Sequence, residues 1–167
     1  MGRPCAGRRS VLLLSAAALT GCGFQLRQPL SYPFRSIALV GFAQRSPLET
    51  ELRRALADSV QILLSPGQAD VVLRALEDRR DRSVAASTAA GQVREVQLRL
   101  HVTVRADTPA GLALMAPVAM RLTRDLSYTE AAALSKAQEE AELYREMQAD
   151  VVAQLLRRLS ALGVPAA

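Results

Sequence analysis

The sequence predicts an α+β fold: a two-layer sandwich of two amphipathic helices packed on one face of a mostly antiparallel four-stranded sheet. Three observations point to it. Residues Glu95 to Arg105 alternate, with Val96, Leu98, Leu100, Val102 and Val104 apolar and Glu95, Gln97, Arg99, His101, Thr103 and Arg105 polar, the pattern of a strand with one buried face. Two longer stretches, 47–64 and about 130–162, repeat apolar residues at helical spacing,. Their order, strand, helix, three strands, helix, lets both helices lie on one side of the sheet and bury every apolar stripe.

Residues 1–21 read as an export signal. Residues 1–10 carry three arginines and no acid, and Val11 to Leu19 form a short apolar run. About 20 apolar residues are needed to cross the hydrocarbon, so this run is too short for a permanent anchor. Leu19-Thr20-Gly21-Cys22 resembles the lipobox of the lipoprotein signal peptidase. That resemblance implies cleavage before Cys22 and a covalent N-acyl and S-diacylglycerol lipid on it. Several chains together give stable attachment, because each buried methylene contributes about 0.8 kcal/mol and one chain alone is marginal. Gly23 stands where an Asp would resemble the inner-membrane retention signal, which points to the periplasmic side of the outer membrane. The competing reading is an ordinary signal with an incidental cysteine.

Residues 22–35 form the lipidated N-terminus and tether, in which Pro29 and Pro33 favour an extended path. A single domain is expected over 36–163 and a short tail over 164–167. Ile37 to Phe42 reads as a buried strand. Ser46 and Glu49 form a capping box with Pro47 at the first helical position, and the helix is expected to run to 64, ended by Ser65-Pro66-Gly67. A strand follows from Ala69 to Glu77, then the charged run Asp78-Arg79-Arg80-Asp81-Arg82, taken as a solvated hairpin end, and small residues at 85–91. After the alternating strand, a turn at Asp107 to Gly111 leads to a strand over Leu112 to Ser127. The last helix, from about Glu130 to Leu162, carries Leu134, Ala137, Ala141, Tyr144, Val151, Leu155 and Leu159 on one stripe and is stopped by Gly163 and Pro165,. Its early acids and late arginines suit the helix dipole.

Composition excludes several functions. With 4% aromatic residues and no Trp, no row of rings is available to stack single-stranded nucleic acid. The net charge of +5 is partly an export signal. From Cys22 onward 18 basic and 16 acidic residues remain, a net charge of +2, so any anion site depends on where arginines cluster. Cys5 lies in the signal and Cys22 at the cleavage point, leaving no disulfide pair,. One histidine and no free cysteine pair give no ordinary zinc site, and no metal or cofactor is expected. His101 stands on a polar strand face with no Ser-His-Asp or Cys-His arrangement to be placed beside it, so a surface histidine is the expectation and no catalytic residue is assigned.

The mature chain resembles the LPS-assembly lipoprotein family LptE. The residues that carry the resemblance are Gly21-Cys22-Gly23-Phe24-Gln25-Leu26-Arg27, the strand Ile37 to Phe42 before a Pro-Leu-initiated helix, and Arg124-Asp125-Leu126-Ser127-Tyr128. Ala133 to Glu140, Met147-Gln148-Ala149-Asp150 and Gln154 to Leu159 follow in the family's order. The resemblance implies a non-enzymatic outer-membrane protein that sits as a plug in the β-barrel LptD, supports its assembly, and helps lipopolysaccharide reach the outer leaflet. It also implies lipopolysaccharide binding. Lys136, the only lysine, falls in Ala-Leu-Ser-Lys, which matches the family's Ala-Leu-x-Lys, and is the expected contact. The alternative for it is an ion pair with Glu139 or Glu140. Ala89-Ala90-Gly91 departs from relatives that place a basic residue at a similar point, and Arg94 or Arg99 is the expected substitute. Arg79, Arg80 and Arg82 are a second cationic candidate. The rival function is a lipid-tethered periplasmic binding module for another envelope ligand, unconnected to LptD. A periplasmic hydrolase lacks a visible nucleophile and base.

Overall fold

The computed structural model describes residues 30–129 and 132–163. The expected signal, Cys22, most of the tether and the tail lie outside the described residues. The domain is α+β, with two helices and a five-stranded sheet rather than the expected four. In chain order the elements are β1 (Ser36–Val40), α1 (Pro47–Leu56), β2 (Gln61–Leu63), β3 (Val71–Ser87), β4 (Val93–Asp107), β5 (Ala113–Ser127) and α2 (Ala133–Ser160).

The extra strand comes from the end of the expected first helix. The cap is as read: Ser46 Oγ accepts from the Glu49 N–H at 3.1 Å, and Pro47 opens the helix. The helix stops at Leu56, eight residues early. Asp58 and Ser59 favour non-helical backbone, and Val60 and Ile62 are β-branched,. The Gln61 N–H instead donates to the Arg35 carbonyl at 2.8 Å and β2 adds in parallel to β1, with Ile37 opposite Ile62.

The sheet order is β2-β1-β3-β4-β5. β1 also lies parallel to β3, Ile37 opposite Val71, while β3, β4 and β5 form an antiparallel meander of long strands. Asp70 and Ser36 lock the start of β1 to the start of β3. The Asp70 carboxylate accepts from the N–H groups of Arg35 and Ser36 at 2.9 Å each, and Ser36 Oγ accepts from the Asp70 N–H at 2.9 Å. The Arg35 N–H bond, first among these contacts, holds the Asp70 carboxyl below its ordinary value,.

These registers define two ends. At the proximal end lie the start of β1, the start of β3 and the turn between β4 and β5, since Val72 faces Asp107 and Asp107 faces Ala113. At the distal end lie the turn between β3 and β4, the end of β5 and the start of α2. Helix α2 runs back from there. At its midpoint the Gln148 side chain donates to the Pro47 carbonyl at 2.8 Å and to Glu51 at 2.7 Å, beside the start of α1. Beyond that point α1 and α2 run side by side toward the proximal end.

The core lies between the helices and one sheet face. It holds Ile37, Leu39, Val71 and Leu73, the even positions Val96 to Val104 of β4, Leu48, Leu52 and Leu56 of α1, and Met147, Val151, Leu155 and Leu159 of α2. Each fully buried Leu contributes about 1.5–3 kcal/mol. The expected stripe on α2 holds only in its second half. Ala137 and Ala141 are exposed and Leu134 is 88% exposed, because α2 meets the core only from Leu143 and Tyr144 onward.

Candidate functional site

Two surfaces outside the core carry the polar chemistry. The first is the face of the sheet away from both helices. Gln97, Arg99, His101, Thr103 and Arg105 alternate with the buried positions of β4 and are half-buried. Across the ladders they meet Ser83, Asp81, Arg79 and Glu77 of β3, and Asp125, Thr123, Arg121 and Ala119 of β5.

This face is a mesh of mutual contacts. Gln97 donates to Asp125 at 3.0 Å, Arg99 donates to Gln97, and Thr103 donates to Glu77 at 3.2 Å. Arg79 donates to Asp81 at 2.6 Å, and His101 Nε2 lies 3.4 Å from the same carboxylate. His101 faces Asp81 and, across the ladders, Arg79 and Arg121. Among the described residues no three His, Cys, Asp or Glu side chains are grouped to hold a metal ion.

The second surface is the distal seam between α2 and the sheet, and it corrects the reading of the charged run. Residues 78–82 are not a hairpin end. They lie in the middle of β3, which continues to Ser87. A run of charges suggests a break only when its neighbours are unknown. Here β4 completes the ladder, and alternation sends the arginines to opposite faces,. Arg79 joins the open mesh. Arg80 and Arg82 turn under α2, where each finds an aromatic ring and a hydrogen bond. The Arg80 guanidinium lies 5.0 Å from the centre of the Tyr144 ring and donates to Gln148. That of Arg82 lies 5.6 Å from the Tyr128 ring and 3.2 Å from Glu140. Such cation–π contacts are worth about 0.5–1 kcal/mol at exposed sites and more when desolvated.

Tyr144 is the centre of this seam. Its hydroxyl donates to the Asp81 carbonyl at 2.7 Å. Burial pushes its phenol above the ordinary value, with the nearby Glu140 carboxylate adding to the shift,. Tyr144, Tyr128 and Gln148 were not singled out as functional from sequence. The available signal was the spacing of Arg80 and Arg82, two cations on one face of a strand, exposed but within reach of the rings on the helix side,.

The residues expected to bind lipopolysaccharide are divided between these surfaces. Lys136, in the first turn of α2, donates to Glu139 at 2.7 Å and to Ser127 at 3.2 Å, so the expected ion pair forms. Arg94 is exposed at the same distal end, and its carbonyl accepts from the Tyr128 N–H at 2.8 Å. Arg99 lies on the open face of the sheet. The structure therefore brings Lys136 and Arg94 to one end and leaves Arg99 apart. Cys22 lies outside the described residues. Among the described residues no helix is long and apolar enough to cross a membrane.

Comparison with known proteins gives this geometry its context. The chain is similar to the solution structure of lipoprotein B from Nitrosomonas europaea, with 28% identity, 83% of this chain and 91% of that one covered, and a TM-score of 0.69. It is similar to a minor lipoprotein from Acinetobacter baumannii, with 27% identity, 80% and 98% covered, and a TM-score of 0.61. Rare lipoprotein B from Shewanella oneidensis, at 23% identity, 76% and 95% covered and a TM-score of 0.61, shares the fold. A search of curated proteins finds no match. The profile of the LptE lipopolysaccharide-assembly family matches residues 34–159, from the residue before Arg35 to the last buried leucine of α2. On that match, which takes in all five strands and nearly all of α2, the chain belongs to the LptE family of lipopolysaccharide-assembly lipoproteins.

Proposed function

We propose that the protein is an outer-membrane lipoprotein, acylated on Cys22, that plugs the β-barrel LptD, supports its assembly and takes part in moving lipopolysaccharide to the outer leaflet. The observation that carries the reading is the family match over the whole folded domain. The open sheet face supports the plug role. A barrel lumen is polar, and a flat face of paired Arg, Asp, Gln and Thr side chains can exchange its own contacts for contacts with such a wall at little desolvation cost,. We assign Arg99, on that face, to the barrel-facing surface.

Lipopolysaccharide contact is proposed for the distal end, where Lys136 and Arg94 lie together. A phosphate monoester carries about −1.5 to −2 charge and three acceptor oxygens against the single charge of the half-exposed Glu139 carboxylate that holds Lys136,, and surface ion pairs of this kind are worth about 0–1 kcal/mol. An anionic ligand can therefore displace the pair. The role proposed is binding and assembly, not catalysis.

Affinity purification of the tagged protein from detergent-solubilised outer membrane is expected to bring down a large β-barrel. Recovery as a free monomer would count against the plug. Depletion separates the rival binding module: normal surface lipopolysaccharide and normal barrel maturation without the protein would favour the rival.

A further inference from the structure

We propose that the outer edge of β5 is a self-complementary surface on which two copies of the chain pair antiparallel about Thr123, joining their sheets into one, before a barrel takes up the domain.

Among the described residues the sheet has free edge at β2, along the far half of β3 and along β5. The first two are guarded. β2 is only three residues long. β3 is uncovered beyond Arg74, where β1 ends, but it is bulged at Ala75/Glu77 and again from Val84, and between these points the Tyr144 hydroxyl already bonds the Asp81 carbonyl. β5 has no such guard. From Val118 to Ser127 it pairs with β4 residue for residue, without a bulge, and its one proline, Pro117, stands just before this run. A regular, unpaired strand of that length is a template for another strand.

The groups on offer follow from the ladder. The Tyr128 N–H donates to the Arg94 carbonyl at 2.8 Å, in line with the pairing of β4 and β5. By alternation the even residues of β5 bond to β4, and the N–H and C=O groups of Ala119, Arg121, Thr123, Asp125 and Ser127 point off the sheet. The Thr123 carbonyl accepts from the Arg124 guanidinium at 3.0 Å, a side chain standing where a second strand would donate.

Charge supplies the occupant. Arg121 lies across the ladder from His101 and has no carboxylate partner among the described residues, and Asp125 is held by the neutral amide of Gln97 at 3.0 Å. Two copies related by a twofold axis at Thr123 set Arg121 of each opposite Asp125 of the other and Thr123 opposite Thr123, both favourable cross-strand pairs. Ala119 then meets Ser127, and every outward N–H of this run meets a carbonyl of the other copy. Centring the pair on Arg121 or on Asp125 puts like charges face to face, and the registers between leave both charges unmatched. The plug reading puts one domain in one barrel, so the pair belongs to the protein before uptake and covers the edge until then.

The test uses the full lipoprotein, in membranes and in detergent. In the paired strands the two Thr123 Cα atoms are about 5.5 Å apart, within reach of a disulfide, whereas the two Ala119 Cα atoms are about 27 Å apart. Under mild oxidation Thr123→Cys is expected to link two copies and Ala119→Cys is not. Without any link, sedimentation is expected to show dimers forming in the micromolar range, as suits a small interface. Arg121→Asp is expected to weaken the pairing about tenfold or more, since two attractive pairs become repulsive. Adding Asp125→Arg is expected to restore it, which a misfolded variant would not allow. Equal linking at positions 119 and 123, monomer mass throughout a series reaching well above the micromolar range, or no rescue by the double exchange overturns the proposal. A link from position 123 to the barrel chain, with none between copies, overturns it in favour of strand addition by the barrel. Oxidation of the unsubstituted chain reports on Cys22 alone, so a free thiol there is not mistaken for a link at 123.

Discussion

The two turns of the meander share one backbone and close very different ends. Thr88-Ala89-Ala90-Gly91-Gln92 and Thr108-Pro109-Ala110-Gly111-Leu112 each use the threonine hydroxyl to accept the last N–H, at 3.1 and 3.0 Å, and each place glycine at positive φ, 78° and 87°. Behind the proximal turn the layers are dry: Leu52, Leu56, Leu155 and Leu159 have no exposed surface. Behind the distal turn the seam is polar, with Arg80 and Arg82 laid on Tyr144 and Tyr128. Local chemistry thus fixes the turn, and what lies under the turn fixes what that end of the domain can do. A dry layer resists being opened, while a layer of displaceable ion pairs offers itself to a ligand.

The comparison can be broken most severely at the proximal end. Leu155→Ala removes a fully buried side chain and is expected to cost about 2–5 kcal/mol in urea unfolding. A loss below about 1 kcal/mol would mean that the proximal layer is not tightly packed. The likeness of the turns is sharpened next. Gly91→Ala and Gly111→Ala each force a side chain into left-handed backbone, with open space around both positions, at about 1–3 kcal/mol each. The two losses are expected to agree to within a few tenths of a kcal/mol, and a clear inequality would show that the turns differ in more than side chains. The smallest effect belongs to the distal seam. Lys136→Ala breaks a partly exposed ion pair with Glu139 and is expected to change stability by only a few tenths of a kcal/mol while lowering lipopolysaccharide binding. Wild-type binding by both Lys136→Ala and Lys136→Glu would remove Lys136 from the proposed site.

What sequence revealed followed the distance between cause and effect along the chain. The cap of α1, the alternation of β4 and the stripe over the second half of α2 arise from neighbours a few residues apart, and all three are present. β2 was hidden because Ile62 and Leu63 fit a helical stripe as well as a strand. Only the edge of β1, some 25 residues earlier, decides between them,. The continuation of β3 is hidden because the ladder through Arg80 and Arg82 is completed by Leu100 and Leu98 of β4, and the rings they lie on, Tyr144 and Tyr128, come some 45 to 65 residues later. The same holds for the site. The type of residue at 94, 99 and 136 was legible, but the face each occupies depended on register.

Gln148 shows what such distant dependence does to the making of the domain. Its amide group binds Pro47, Glu51 and Arg80, which lie 101, 97 and 68 positions away. Neither end of the amide can be satisfied by α2 alone, and a half-satisfied amide in that place carries the full cost of lost water. A helix docked on an incomplete sheet still buries its leucines but leaves this amide short of partners. The Gln148 contacts therefore favour the arrangement in which α1 and β3 stand in register over other packings of the same apolar stripe,.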